Sequence, residues 1–188
     1  ELNVQAILNG RVVQRGEQLT LSLELVDVQK DSVIWAEQYQ RKTSDLVSLQ
    51  SEIAKDVSSN LKTKLSGADE AKVTKTSTTN TEAYQAYLKG RFHWNKRTTE
   101  DFQKARDYFQ QAIAADPNYA LAHTGLADTL ALMPYYGNFR PSEYMPLAKQ
   151  AAQKALELDP NLAEAHASLG QILFAYDYDF KGAERELK

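Results

Sequence analysis

Leu19, Leu21, Leu23 and Leu25 alternate with Thr20, Ser22 and Glu24. A period of two puts the four leucines on one face of a strand over residues 18–28. The run from Val4 to Gln14, rich in Val, Ile and Leu, reads as an earlier strand, with Arg15-Gly16-Glu17 as the turn between them. Beyond Gln29-Lys30-Asp31, a third run from Ser32 to Tyr39 carries Val33, Ile34, Trp35 and Tyr39. Three sequential strands with short connections predict an antiparallel meander. The period then changes. Leu46, Leu49, Ile53, Val57, Leu61 and Leu65 recur every three or four residues, which places them on one face of a helix. Ser44 is the expected N-cap, Asp45 belongs in the first turn, and Gly67 is the expected stop. This helix is expected to cover the apolar face of the meander. Residues 1–67 therefore read as an α+β unit of β-β-β-α order with a thin core. Trp35 reads either as part of that core or as part of a site.

Residues 68–80 hold one large apolar side chain, Val73, and end in Lys-Thr-Ser-Thr-Thr-Asn. Such a stretch is a poor helix interior and reads as a linker, with the preceding helix extending into it as far as Val73. After it the chain repeats itself. Asp116-Pro117-Asn118-Tyr119-Ala120-Leu121-Ala122-His123 is followed by Leu126, and Asp159-Pro160-Asn161-Leu162-Ala163-Glu164-Ala165-His166 by Leu169, at an offset of 43 residues. Self-similarity at such a period points to stacked helical pairs. Asp-Pro ends one helix, because proline restricts the residue before it and donates no backbone hydrogen bond. The small residues that follow let the next helix pack closely.

These residues resemble the tetratricopeptide repeat (TPR), a unit of two antiparallel helices with small residues at their contacts. Gly90, Ala127 and Gly170 match the small position of the first helix. Ala105 and Ala112, then Ala148 and Ala155, match those of the second, with Phe109 as the aromatic between the first pair and Pro117 and Pro160 as the terminal prolines. Ala183 opens the same series in a third unit, and Lys89 departs from the pattern. The resemblance covers 81–188, as units 81–117, 118–160 and a truncated 161–188, and implies an all-α TPR solenoid. Extra residues in the first unit are expected in its turn, around Arg97-Thr98-Thr99. Those of the second are expected in a long loop, Met133-Pro134-Tyr135-Tyr136-Gly137-Asn138-Phe139-Arg140-Pro141.

A second resemblance joins both halves. Gly10-Arg11-Val12-Val13, the leucine-alternating strand, Ile34 to Tyr39, Leu49 to Ala54 and Asn80 to Arg91 are similar to the extracytoplasmic region of certain bacterial signalling proteins. There, a domain like the amino-terminal domain of the Tol translocation β-propeller protein precedes TPRs. Upstream of a membrane span lies a Ser/Thr kinase, an adenylate cyclase or a winged-helix regulator. No such output module occurs in these residues, nor do the further strand and helix that such domains carry upstream. The chain opens on Glu1 without an initiator methionine or basic leader and stops inside a helical pattern, so it is expected to be a piece of something longer.

Composition narrows the chemistry. Of 188 residues, 43% are apolar and 25% charged, with a net charge of −3. This balance gives no general attraction for nucleic acid or anionic membrane. No apolar run is long enough to span a bilayer. Cysteine is absent, which removes disulfides, thiol nucleophiles and cysteine-ligated zinc. There is no phosphate loop, nucleophile elbow or kinase signature, so no catalytic residue, cofactor or metal is expected. His123 and His166 share one repeat position and read as packing histidines, against a metal-ligand alternative; His93 stands apart from them. Asp116 and Asp159 are helix-end residues before proline. Lys89, Arg91, His93, Trp94, Lys96 and Arg97 read either as a solvated face with Trp94 packed between repeats or as a site for an acidic peptide or a phosphate backbone. The aromatic loop 133–141 reads either as a cap on its own core or as a recognition surface through Tyr135, Tyr136 and Phe139.

In a TPR the first helix of each pair lines a concave groove. Carried over, this implies Tyr84, Tyr87, Arg91, Trp94 and Asn95; then Leu121, Thr124, Asp128, Ala131 and Leu132; then Glu164, Ala167, Gln171, Phe174 and Ala175. The carboxylate-clamp pattern for a chaperone's C-terminus wants Lys and Asn four residues apart. Tyr87/Arg91, Thr124/Asp128 and Ala167/Gln171 do not supply it. The expected partner is a protein or peptide with an apolar anchor and an acid, and Tyr87 and Arg91 are expected in the groove and outside the core. Two functions stand: an interaction scaffold, and the ligand-sensing region of a membrane-anchored signalling protein. Neither makes this chain an enzyme. Self-association through the first strand is a further expectation, since an unpaired apolar strand recruits another.

Overall fold

A computed structural model describes residues 4–60 and 77–188. The chain divides into two compact units, Glu1–Thr76 and Ser77–Lys188.

The first unit contains β1 (Ala6–Arg15), β2 (Gln18–Asp27) and β3 (Ser32–Lys42) in one antiparallel sheet of order β1-β2-β3. Gly16 turns β1 into β2 with φ 59°, in the left-handed region that a side chain disfavours. Asp31, at φ 47°, turns β2 into β3. A bulge at Leu25/Val26 breaks the β2–β3 register. The leucine alternation holds: Leu19, Leu23 and Leu25 are buried and Leu21 is half-buried. α1 (Leu46–Asn60) covers that face, with Leu49 buried against Leu19, Leu23 and Tyr39, and Trp35, Leu46 and Ile53 at the edge. Trp35 is thus a core side chain. Two further ties hold α1 to β3: the Tyr39 hydroxyl donates to Asp56 at 2.7 Å, and Arg41 donates from one Nη to both oxygens of Glu52 at 2.8 Å.

Ser44 is not the N-cap of α1. Thr43–Asp45 already forms a 3-10 turn that runs straight into the helix, and the Ser44 hydroxyl donates to Asp45 instead. Leu61, Leu65, the Gly67 stop and linker residues 68–76 lie outside the described residues.

The second unit is all-α: α2 (Thr81–Lys96), α3 (Thr99–Ala115), α4 (Ala120–Tyr136), α5 (Pro141–Leu158), α6 (Ala163–Ile172), a five-residue π turn (Leu173–Asp177) and α7 (Phe180–Leu187). α2 pairs with α3, α4 with α5 and α6 with α7. The first pair is antiparallel: Asn80, capping the start of α2, donates to the Ala115 carbonyl at the end of α3. Small residues sit where the helices meet. Ala83, Ala105, Ala112, Ala122, Ala127, Ala148, Ala152, Ala155 and Ala165 are all fully buried. One core runs from Phe102 of α3 through Ala127, Leu130 and Met133 of α4 and Ala148 of α5 to Leu169 of α6 and Ala183 of α7. It crosses all three hairpins, so no pair could form it alone.

Two expected insertions are helix instead of loop. The first turn is only Arg97 and Thr98, with Arg97 left-handed at φ 57° and Thr98 capping α3, so the additional length went into the helices. In the second hairpin α4 continues through Pro134 to Tyr136, which leaves 137–140 as the connection. The last residues of the expected linker belong to the helical unit. Thr78 is 6% exposed and its hydroxyl donates to Asp116 at 2.6 Å.

Candidate functional site

The first helices of the three hairpins converge on a groove of about 340 Å³. Tyr87, Arg91 and Trp94 come from α2, Thr124 and Asp128 from α4, and Gln171 from α6. Leu121, Ala131, Leu132, Glu164 and Ala167 are the other expected residues that line it, and Ala175 is not among the lining. The spacing explains the convergence: 87, 91 and 94 lie one turn apart on α2, as do 121, 124, 128, 131 and 132 on α4.

Other expected residues are elsewhere. Tyr84 packs half-buried beside Ala83, Ala86 and Tyr119. Asn95 is exposed and outside the groove. Phe174 is 58% exposed and meets Phe180 edge-on at 5.6 Å. Tyr87 has two roles: it reaches the groove, but its ring also lies 5.8 Å from Phe109 and 5.2 Å from Tyr119. It is therefore partly core, contrary to its expected place. Ser168 and Gly125 also line the groove and were missed. Ser168 was legible, because it lies one helical turn after Glu164 and one before Gln171.

Arg91 and Asp128 of the groove face each other. Arg91 faces the Asp128 Oδ2 at 3.7 Å and lies over the Trp94 ring at 4.6 Å. Arg97 covers the same ring at 3.6 Å. The Trp94 Nε1 is buried with no hydrogen-bond partner among the described residues. The Ser168 hydroxyl reaches the Asp128 Oδ1 at 2.5 Å and the Glu164 carbonyl at 2.9 Å. Burial pushes the Asp128 carboxyl above the usual carboxylate range, against the opposing pull of Ser168 and Arg91. Burial likewise raises the Tyr87 phenol, and the charges of Glu164 and Asp128 add to it.

The basic stretch is a set of cations resting on rings. Lys89 lies over Tyr108, Lys96 over Phe92, and His93 bonds Asp101 at 2.7 Å. Asp101 is held down to about 2, chiefly by His93 and then by Thr98. His123 and His166 each place Nε2 3.0 Å from the carbonyl of the turn proline, Pro117 and Pro160. His166 also bonds Glu186 at 2.7 Å.

Two of the three aromatics of 133–141 pack on neighbouring rings. Tyr136 packs on Phe102 with ring centroids 4.9 Å apart, and its carbonyl accepts from the Thr99 hydroxyl. Phe139 packs on Tyr144 at 5.1 Å. Tyr135 is 64% exposed.

The chain matches no protein-family model. It is similar to "Putative adenylate cyclase 3" of Rhizobium meliloti (strain 1021), with 24% identity over 127 residues. That stretch is 68% of this chain and 22% of the other protein, so the chain spans under a quarter of the relative it matches. Among the described residues, no helix is long and apolar enough to cross a membrane.

Proposed function

We propose that residues 81–188 are a tetratricopeptide-repeat array and that the chain is an interaction module holding a peptide or partner segment in the α2–α4–α6 groove. The observation that carries this reading is the groove itself. Side chains from three successive first helices line one cleft, with aromatic, arginine and carboxylate groups together. Aromatic and arginine side chains dominate interface energetics because they bury much area at small entropic cost. In this reading the chain binds, and catalysis belongs to domains outside it.

Peptide-phage selection on the full chain tests the proposal, with Ala167→Trp as the control. Ala167 is exposed in the groove, so an indole there blocks the cleft without entering the core. Selected peptides should lose at least about tenfold in affinity for that variant, the effect of losing a hot-spot contact. Peptides that bind both forms equally would move the site elsewhere.

The similarity to a protein named as a cyclase favours a second reading. Here the same module regulates a membrane-anchored Ser/Thr kinase or adenylate cyclase, and occupation of the groove is the signal. The parent reading frame tests it: an output domain followed by a membrane span should lie upstream. A frame with neither would remove this reading and leave the first intact.

A further inference from the structure

Charge in the groove is lopsided. Its arginine and its serine and threonine hydroxyls have partners within the chain. Arg91 stacks on Trp94 and faces Asp128. The Thr124 hydroxyl donates to the Ala120 carbonyl within its own helix. The Ser168 hydroxyl has one proton and two acceptors in range, Asp128 and the Glu164 carbonyl. Its acceptors are open. The Asp128 Oδ2 has no hydrogen-bond donor among the described residues, since Arg91 at 3.7 Å is beyond hydrogen-bond reach. The Glu164 carboxylate lines the groove and, among the described residues, has neither an ion pair nor a side-chain hydrogen bond. The lining holds two carboxylates against one guanidinium.

We infer that the groove takes its peptide through a cationic side chain, lysine or arginine, whose donors bind between Asp128 and Glu164 and whose stem lies along Ala131 and Leu132. The inference rests on the groove being the binding site. An ammonium or guanidinium supplies what the two carboxylates lack, and a half-buried site makes the attraction stronger than in water. An acidic ligand would meet two like charges and an arginine already engaged.

The test uses the full chain and capped, fluorescein-labelled peptide pools of the form X-X-X-Z-X-X-X, with X an equimolar mixture of uncharged residues and Z fixed as Lys, Arg, Gln or Glu. Affinity is read by fluorescence anisotropy. The Lys and Arg pools should bind about tenfold more tightly than the Gln pool, with the Glu pool weakest. Asp128→Asn, which keeps an acceptor for Ser168, should abolish that preference. Glu164→Gln, on the exposed rim, should reduce it by about threefold even if the Asp128 variant folds poorly. A Glu pool that binds as tightly as the Lys pool, or a preference unchanged in both variants, would overturn the inference. Binding of every pool without charge preference overturns it alone. Failure of every pool to bind overturns the groove reading and this inference together.

Discussion

Phe109 presses its ring against the backbones of two helices. A Cβ added at Gly90 would stand 2.7 Å from the Phe109 Cε1, and one added at Gly125 would stand 2.4 Å from it. Only glycine permits that approach. Gly125→Ala should therefore lower stability by about 1–3 kcal/mol, the usual cost of overpacking a core. In urea denaturation, Phe109→Leu should recover part of the loss, because the ring makes the clash. An additive double mutant would show that the strain lies elsewhere. Gly90 was legible from the repeat pattern; Gly125 was not, because the pattern already had a small residue in Ala127.

The paired histidines are a residue-scale device as well. His166 is raised above its ordinary value, first by the Pro160 carbonyl and then by Glu186. A raised folded pKa means that its stabilisation is full below the unfolded value of about 6.5 and is lost as pH rises through the higher folded value. The urea midpoint should fall between pH 6 and pH 8, and His166→Gln should flatten that fall. An unchanged slope in the variant would assign the pH dependence to other groups.

At the scale of elements, α4 and β1 depart from simple expectation in opposite ways. Pro134 costs an isolated helix about 3 kcal/mol, so 133–141 read as a loop. The helix persists because Met133 is fully buried, Leu130 is 6% exposed, and Tyr136 is tied to Phe102 and Thr99. Packing across the hairpin outweighs the local penalty, and no reading of one segment can see it. β1 forms as its run of Val, Ile and Leu predicts, yet among the described residues α1 packs on β2 and β3 and not on it. Leu8 and Val12 stand opposite Leu25 and Leu21 but are 44% and 61% exposed. Ile7 and Val13 are exposed on the other face. An apolar edge strand without a proline or an acid is a template for pairing. Light scattering should show dimers that dissociate on dilution, and Val12→Lys should shift them to monomer. A wild-type chain that stays monomeric at high concentration would count against this.

At the scale of the molecule, the chain has two units with different kinds of core: a one-sided sheet and a series of close helix contacts. Residues 68–76 carry one large apolar side chain, Val73, so limited proteolysis should cut first there, between about Thr74 and Ser77. Thr78 and Asn80 are bonded to Asp116 and Ala115, so cuts after Ser77 should be slow. A first cut within 100–130 would contradict the division into units.

The sequence by itself determined most element types and the strand order, and the resemblance to the TPR implied much of the groove lining. The element types follow from periods of 2 and 3.6, which are local properties. The tertiary structure decided the rest: that Pro134 stays helical, that Tyr87 is shared between groove and core, that β1 is uncovered, and that Arg91 is already engaged by Asp128 and Trp94. Each depends on groups far apart in the chain meeting in space. The Ser168 hydroxyl reaches a carboxylate 40 residues away, and no periodicity along the chain encodes which of two oxygens is left open.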